Sequence, residues 1–232
     1  MNYQYQSQAH TRSREIDEGL RAYMLRVYNY MFAALVVTGL VSAIVLTSPA
    51  MLSFVQSPFI WVVFLAKVAI VWTMGARVHT LKPSTSQALF WVYSCLMGLV
   101  LGGIMYNYTG TSITRVFFIA ASIFGAMSIY GYTTKKSLDT LGKLCFFGLI
   151  GMIVAGLVNI FLGSSMLHFL LSFAGVIIFT GLTAYDTQKI KELYLHNSSA
   201  AHQLAVFGAL QLYMDFVYLF IYLLQILGSH RD

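Results

Sequence analysis

Residues 203–228 read QLAVFGALQLYMDFVYLFIYLLQILG, with one charged side chain, Asp215, in the whole stretch. An α-helix needs roughly 20 mainly apolar residues to cross a hydrocarbon core of about 30 Å, so this segment is long enough to span a bilayer. Six more segments meet the same requirement, at about 27–48, 59–78, 87–106, 113–133, 142–163 and 166–185. All seven are continuously apolar, without the two-residue alternation of a membrane β-barrel. The fold expected is therefore an all-α integral membrane bundle of seven transmembrane helices.

Composition agrees. The chain has 232 residues, 58% of them hydrophobic and 9% charged, against about 25% charged in a typical soluble domain. Residues 1–22 form a polar tail rich in Gln, Ser and Arg, and residues 23–232 form the transmembrane domain. The tail has no early apolar run and so does not read as a cleaved signal peptide. The net charge of +6 is a topology signal rather than a nucleic-acid footprint, because the basic residues sort by loop. Arg12, Arg14, Arg21 and Arg26 in the tail, Arg77 and Lys82 in the second loop, Lys135, Lys136 and Lys143 in the fourth, and Lys189 and Lys191 in the sixth all fall on one side. Arg115 and Arg231 fall on the other, and Lys67 lies within a span. The positive-inside rule then places the N-terminus in the cytoplasm, and seven crossings place the C-terminus outside.

Enzyme signatures are missing, and the expectation is a protein that is not an enzyme and holds no resident cofactor. The sequence contains no HExxH, no phosphate-binding glycine loop and no CxxC; Cys95 and Cys145 both sit in apolar runs. The six histidines fall in tails, loops or span ends, no serine has an obvious partner base, and the last span carries no lysine for a retinal Schiff base. Small residues recur at helical spacing in three rows: Ser94, Gly98 and Gly102; Ser122, Gly125 and Ser128; Gly148, Ala155, Asn159 and Gly163. Such rows let membrane helices approach closely.

Ionisable residues inside spans tend to mark pathways or partners. Asp215 stands near mid-membrane, and Gly208, Gln211, Tyr218 and Tyr222 share its helical stripe. It reads as an ion or proton site, or as an acid that fixes helix packing. Asp186, in GLTAYDTQKIK (181–191), lies at the end of the sixth span. It is either solvated there, paired with Lys189, or set against Asp215. In the last case two carboxyl groups in one poorly solvated site cannot both ionise cheaply and titrate as a coupled pair. They also offer oxygen ligands to a hard cation such as Ca²⁺, though fewer than the usual 6–8. Lys67 is a counter-ion or snorkels towards an interface. Arg77, at the end of the second span, is a gate that pairs with a carboxylate or a plain positive-inside anchor.

FGAMSIYGYTTKKSL (124–138), GLTAYDTQKIK (181–191) and GALQLYMDFVYLFIYLLQILG (208–228) resemble the Bax inhibitor-1 family, the transmembrane Bax-inhibitor-motif proteins, in the wording of its bacterial branch. With the span layout, the resemblance covers the chain from about residue 20. It implies that the last helix is surrounded by the other six. It implies a pH-sensitive Ca²⁺ leak with a di-aspartyl sensor, at positions matching Asp186 and Asp215, in the inner membrane of a bacterium. An arginine at the end of the second helix engages the aspartates in a bacterial relative. Arg77 stands nearest, about one residue out of register, and Lys67 stands where that relative has an acidic residue. The loop between the aspartate motifs is longer here, with HNSSAAHQ (196–203) inside it. Family members are also linked to membrane-bound proteolysis and to cell-death proteins, so the alternative is a non-transporting interaction protein whose partner is a membrane protein such as a protease. The partners expected for the leading reading are the lipid bilayer, Ca²⁺ and protons, with no nucleic acid.

The charge pattern has a direct test. Alkaline phosphatase fused after Asp232 is expected to be active and green fluorescent protein fused there dark. The reverse pair of readings would invert the orientation or remove a crossing.

Overall fold

The computed structural model describes the backbone of residues 2–78, 80–196 and 201–231, and the side chains of residues 18–78, 80–195 and 204–231. Eight helices follow one another among the described residues: α1 (Asn2–Thr47), α2 (Pro49–Gln56), α3 (Ile60–Ala76), α4 (Pro83–Met105), α5 (Gly110–Thr133), α6 (Asp139–Leu162), α7 (Ser165–His196) and α8 (Ala201–Leu227). Six of them are long and apolar enough to cross a membrane, and the count is seven if α2 and α3, bent by 75° at the break between them, are one span. α3 alone has 17 residues, about 25 Å, at the short end of what spans a bilayer.

The expected spans are all present as helices, with three differences of extent. The segment before the second span forms a helix of its own. Ser48 caps it by accepting from the Met51 N–H, and Pro49 opens it at a position that needs no N–H donor. The sixth span was expected to end at 185, but α7 runs on to His196. Lys189 and Lys191 end the apolar run without ending the helix, since backbone hydrogen bonding does not depend on lipid. Asp186 therefore lies about three turns inside α7 rather than at its end. α1 is also continuous, so the backbone of residues 2–22 extends the first span. The side chains of the tail up to residue 17 and of HNSSAAHQ (196–203), with the backbone of 197–200, lie outside the described residues.

α8 is the centre of the bundle. In its most apolar stretch 78% of residues are buried, against 6% for α6. α1, α4, α5 and α7 pack directly on α8, and α6 leans on α7. α3 faces α8 across a cavity lined by Met214 and Tyr218. The outer surface is apolar, with Phe161 at 90% and Trp72 at 78% exposed; exposure of that kind over a whole perimeter fits lipid rather than water. At one end, the Thr109 and Arg231 N–H groups donate to Ser229 and Asn107 carbonyls, and Arg115 donates to the Leu227 carbonyl. α8 thus ends where α4 ends and α5 begins. At the other end, the α5–α6 loop with Lys135 and Lys136 meets the end of α7.

Of the three small-residue rows, the first packs as expected. A Cβ on Gly98 or Gly102 would meet Val41 or Val45 of α1 at 2.6–2.7 Å. In the other rows Gly125 and Gly163 have nothing within 4 Å. α6 is peripheral, and its seam to α7 runs through Gly142 under the Tyr185 ring, Cys145 against Gly181 and, from the third row, Gly148 against Ile178. Spacing identifies small residues but not which face has a neighbour. The tightest approach of one helix backbone to another is at Gly131 of α5, where a Cβ would fall onto the Ala184 carbonyl of α7. Gly131→Ala is expected to cost about 1–3 kcal/mol by forcing the two backbones apart. Gly125→Ala on the same helix should be neutral or slightly stabilising. Thermal unfolding of the purified variants in detergent tests both, and equal midpoints would rule out the close approach.

Candidate functional site

The site grows out of the antiparallel packing of α7 on α8. Residue numbers rise along one helix as they fall along the other. Gly208 lies against Ile190 and Gly175 lies under the Tyr222 ring. Phe179 stacks on Tyr218 and Tyr222 at 5.2 and 5.8 Å, and Ser172 donates to Gln225 at 2.7 Å. The small and polar stripe of α8 is thus the face turned to α7. Asp186 and Asp215 fall within this seam, and their carboxyl groups interact directly across it.

The two acids differ in surroundings. Asp215 is 3% exposed, while Asp186 is partly exposed. Among the described residues, no donor reaches Oδ2 of Asp215 or Oε1 of Gln211. These two oxygens are one helical turn apart, on the same side of α8. A buried acceptor left without a donor carries an appreciable desolvation cost; here two such acceptors adjoin a carboxyl pair. Oxygen atoms without donors are what a cation, a proton or water would engage. Among the described residues, no group of three or more His, Cys, Asp or Glu forms a metal cluster.

The other predicted residues lie elsewhere. Lys189 does not pair with Asp186: its Nζ is 2.8 Å from Asp139 and 3.0 Å from Glu192. Arg77 caps the end of α3, exposed, and makes no ion pair with either aspartate among the described residues. Lys67 is buried against α4, donating to the Met97 sulfur at 2.7 Å with the Tyr93 ring centroid 5.6 Å away. Tyr218 connects the α8 stripe to that region, lining one cavity with Tyr93 and Lys67. Tyr222 is held by its ring against Phe179 and Gly175.

The sequence does not single out the hydroxyl cluster beside Asp186. Tyr28 of α1 and Ser128 of α5 are 2.5 Å apart, and Ser128 is 3.1 Å from Thr187 of α7. Thr187 donates to its own helix at the Thr183 carbonyl. The only available signal was that Ser128 and Thr187 lie inside the two motifs quoted above. Those motifs touch along their length. Gln188 accepts from the Leu138 N–H at 2.8 Å and donates to the Lys136 carbonyl at 2.9 Å. Lys191 donates to the Tyr132 carbonyl at 2.8 Å.

The comparisons with known proteins agree with this layout. A family model described as inhibitor of apoptosis-promoting Bax1 matches residues 20–232. An uncharacterised protein of Rickettsia prowazekii (strain Madrid E) is 45% identical over 96% of this chain and 95% of its own. The inner membrane protein YbhL of Escherichia coli (strain K12) is 40% identical over 92% of this chain and 94% of its own. An uncharacterised protein of Caulobacter vibrioides is 40% identical over 94% and 92%. A helical membrane bundle with its two aspartate motifs joined across one seam, matched end to end by these relatives, belongs to the Bax inhibitor family.

Proposed function

We propose that this chain is a Ca²⁺-permeable leak of the bacterial inner membrane, set by protonation of the Asp186–Asp215 pair, with Ca²⁺/H⁺ exchange as the coupled form of the same site. The observation that carries the reading is the pair itself: two carboxyl groups in contact between α7 and α8, one of them buried with an oxygen that no donor reaches. When the pair holds a proton, the two groups share it and stay together. When both ionise, they repel each other and attract a cation. That difference is enough to bias two arrangements of the surrounding helices.

Ca²⁺ is the transported ion rather than a resident cofactor. Two carboxylates with Gln211 Oε1 fall short of the usual 6–8 oxygens, so the ion is held weakly and passes on. The protein is a transporter and not an enzyme. Location in the inner membrane rests on YbhL, which carries that description, and a cytoplasmic N-terminus rests on the sorting of basic loops. Lys67 and Arg77 stand outside the sensor in this reading.

Purified protein in liposomes is expected to pass Ca²⁺ at a rate that changes across a scan from about pH 5 to pH 8, with the two carboxyl groups titrating as one unit. Asp215→Asn and Asp186→Asn should each flatten that change. A mutant that keeps the full pH dependence removes the pair from the account, and no flux above empty liposomes from folded protein removes the leak. A second expectation concerns Gln211. Gln211→Leu should lower Ca²⁺ flux several-fold, as the loss of one oxygen ligand would, while leaving the midpoint of the pH dependence in place. Unchanged flux would exclude Gln211 from the ion path.

A further inference from the structure

A second polar position inside the bundle is not part of the aspartate seam. α3 stands off from α8, and the gap is a cavity of about 570 Å³. That lies within the roughly 300–1,000 Å³ of small-molecule sites. Its walls are apolar, from Phe64, Val68, Trp72 and Met214, and Lys67, Tyr93 and Tyr218 supply its polar groups. Phe64, Val68 and Trp72 are 48%, 52% and 78% exposed on the outer surface of the bundle. The cavity therefore opens sideways, towards the acyl chains of the bilayer.

Lys67 is 4% exposed, eight residues into the 17 of α3. Both ion pairs among the described residues belong to Lys189, and the acceptor that Lys67 meets is the thioether of Met97. A thioether is a weak acceptor, and a cation at this depth is costly unless an anion or a strong acceptor answers it. The hydroxyls of Tyr93 and Tyr218, which line the same cavity, add donors on that wall. An ammonium and two phenols facing an apolar slot make a receptor for a carboxylate that carries a hydrocarbon chain.

We propose that this cavity binds a free fatty acid, its carboxylate on Lys67 and its chain leaving between Val68 and Trp72 into the lipid. The acid can reach mid-membrane as the neutral carboxylic acid. Its carboxyl proton is then released to water, and the carboxylate left behind pairs with the Lys67 ammonium, so that the two charges cancel. A phospholipid fits less well, because its phosphate is permanently charged and stays at the interface. The inference is independent of Ca²⁺ conduction.

Full-length protein in detergent, immobilised for scintillation proximity with tritiated palmitate, tests it. Saturable binding, displaced by unlabelled palmitate and not by hexadecanol, is expected. Lys67→Met should weaken binding by about tenfold or more, the usual worth of a charge-assisted bond, and Lys67→Arg should retain most of it. Val68→Trp, at an exposed position, should block the slot without touching the lysine. Displacement by hexadecanol as effective as by palmitate would overturn the proposal. So would wild-type binding in folded Lys67→Met or Val68→Trp. Displacement by phosphatidylglycerol at equal concentration would overturn the fatty acid in favour of a phospholipid.

Discussion

Two carboxyl groups in contact inside a membrane bundle constrain everything near them. If both ionise about 4 Å apart, they repel by roughly 4 kcal/mol even at an effective dielectric near 20. A basic side chain would be the simplest answer, yet the lysines of α7 and the buried lysine of α3 are otherwise engaged. Lys189 holds Asp139 and Glu192, Lys191 holds the Tyr132 carbonyl, and Lys67 lies against Met97. The polar groups that follow along the same helices are hydroxyl and amide instead: Thr187, next to Asp186 in sequence, bonded to Ser128 and through it to Tyr28, and Gln211, one turn from Asp215 on α8. Such groups can follow a proton or a cation without fixing either, which a permanent counter-charge would not do.

The helix count and the pairing partner were legible because each rests on a signal that burial enforces. Hydrocarbon demands long apolar runs, and a carboxyl group at depth demands protein around it. The stripe of Gly208, Gln211, Asp215, Tyr218 and Tyr222 turned out to be the face towards α7 because Ile190, Phe179 and Gly175 fit against it. The end of α7 was not legible, since polar residues end a hydrophobic run whether or not they end a helix. Arg77 shows a different limit. Its position in the sequence suits a partner for the pair, but helix rotation decides where a side chain points, and one residue is about 100°. α2 was hidden because a short helix between two spans leaves no run of sufficient length.

The family resemblance and the geometry meet in the contact between the two motifs. Gly131, Tyr132, Lys136 and Leu138 come from one, and Ala184, Gln188 and Lys191 from the other. Their joint role is local: they fasten the α5–α6 loop and the end of α5 to α7, just beyond Asp186. The residues that name the family are therefore largely the residues that fix how α7 is held.

That fastening bears on α7 as a mechanical part. At 32 residues the helix is about 48 Å long, well beyond a hydrocarbon core of about 30 Å. Its last turns extend past the apolar layer as a rigid stalk, where Tyr194 stacks on Tyr23 of α1 at 5.0 Å. A helix transmits a push or a twist along its length with little loss. A force applied to the stalk from water, by a lipid headgroup or by a protein, reaches Asp186 three turns away. It does so without any ligand entering the membrane.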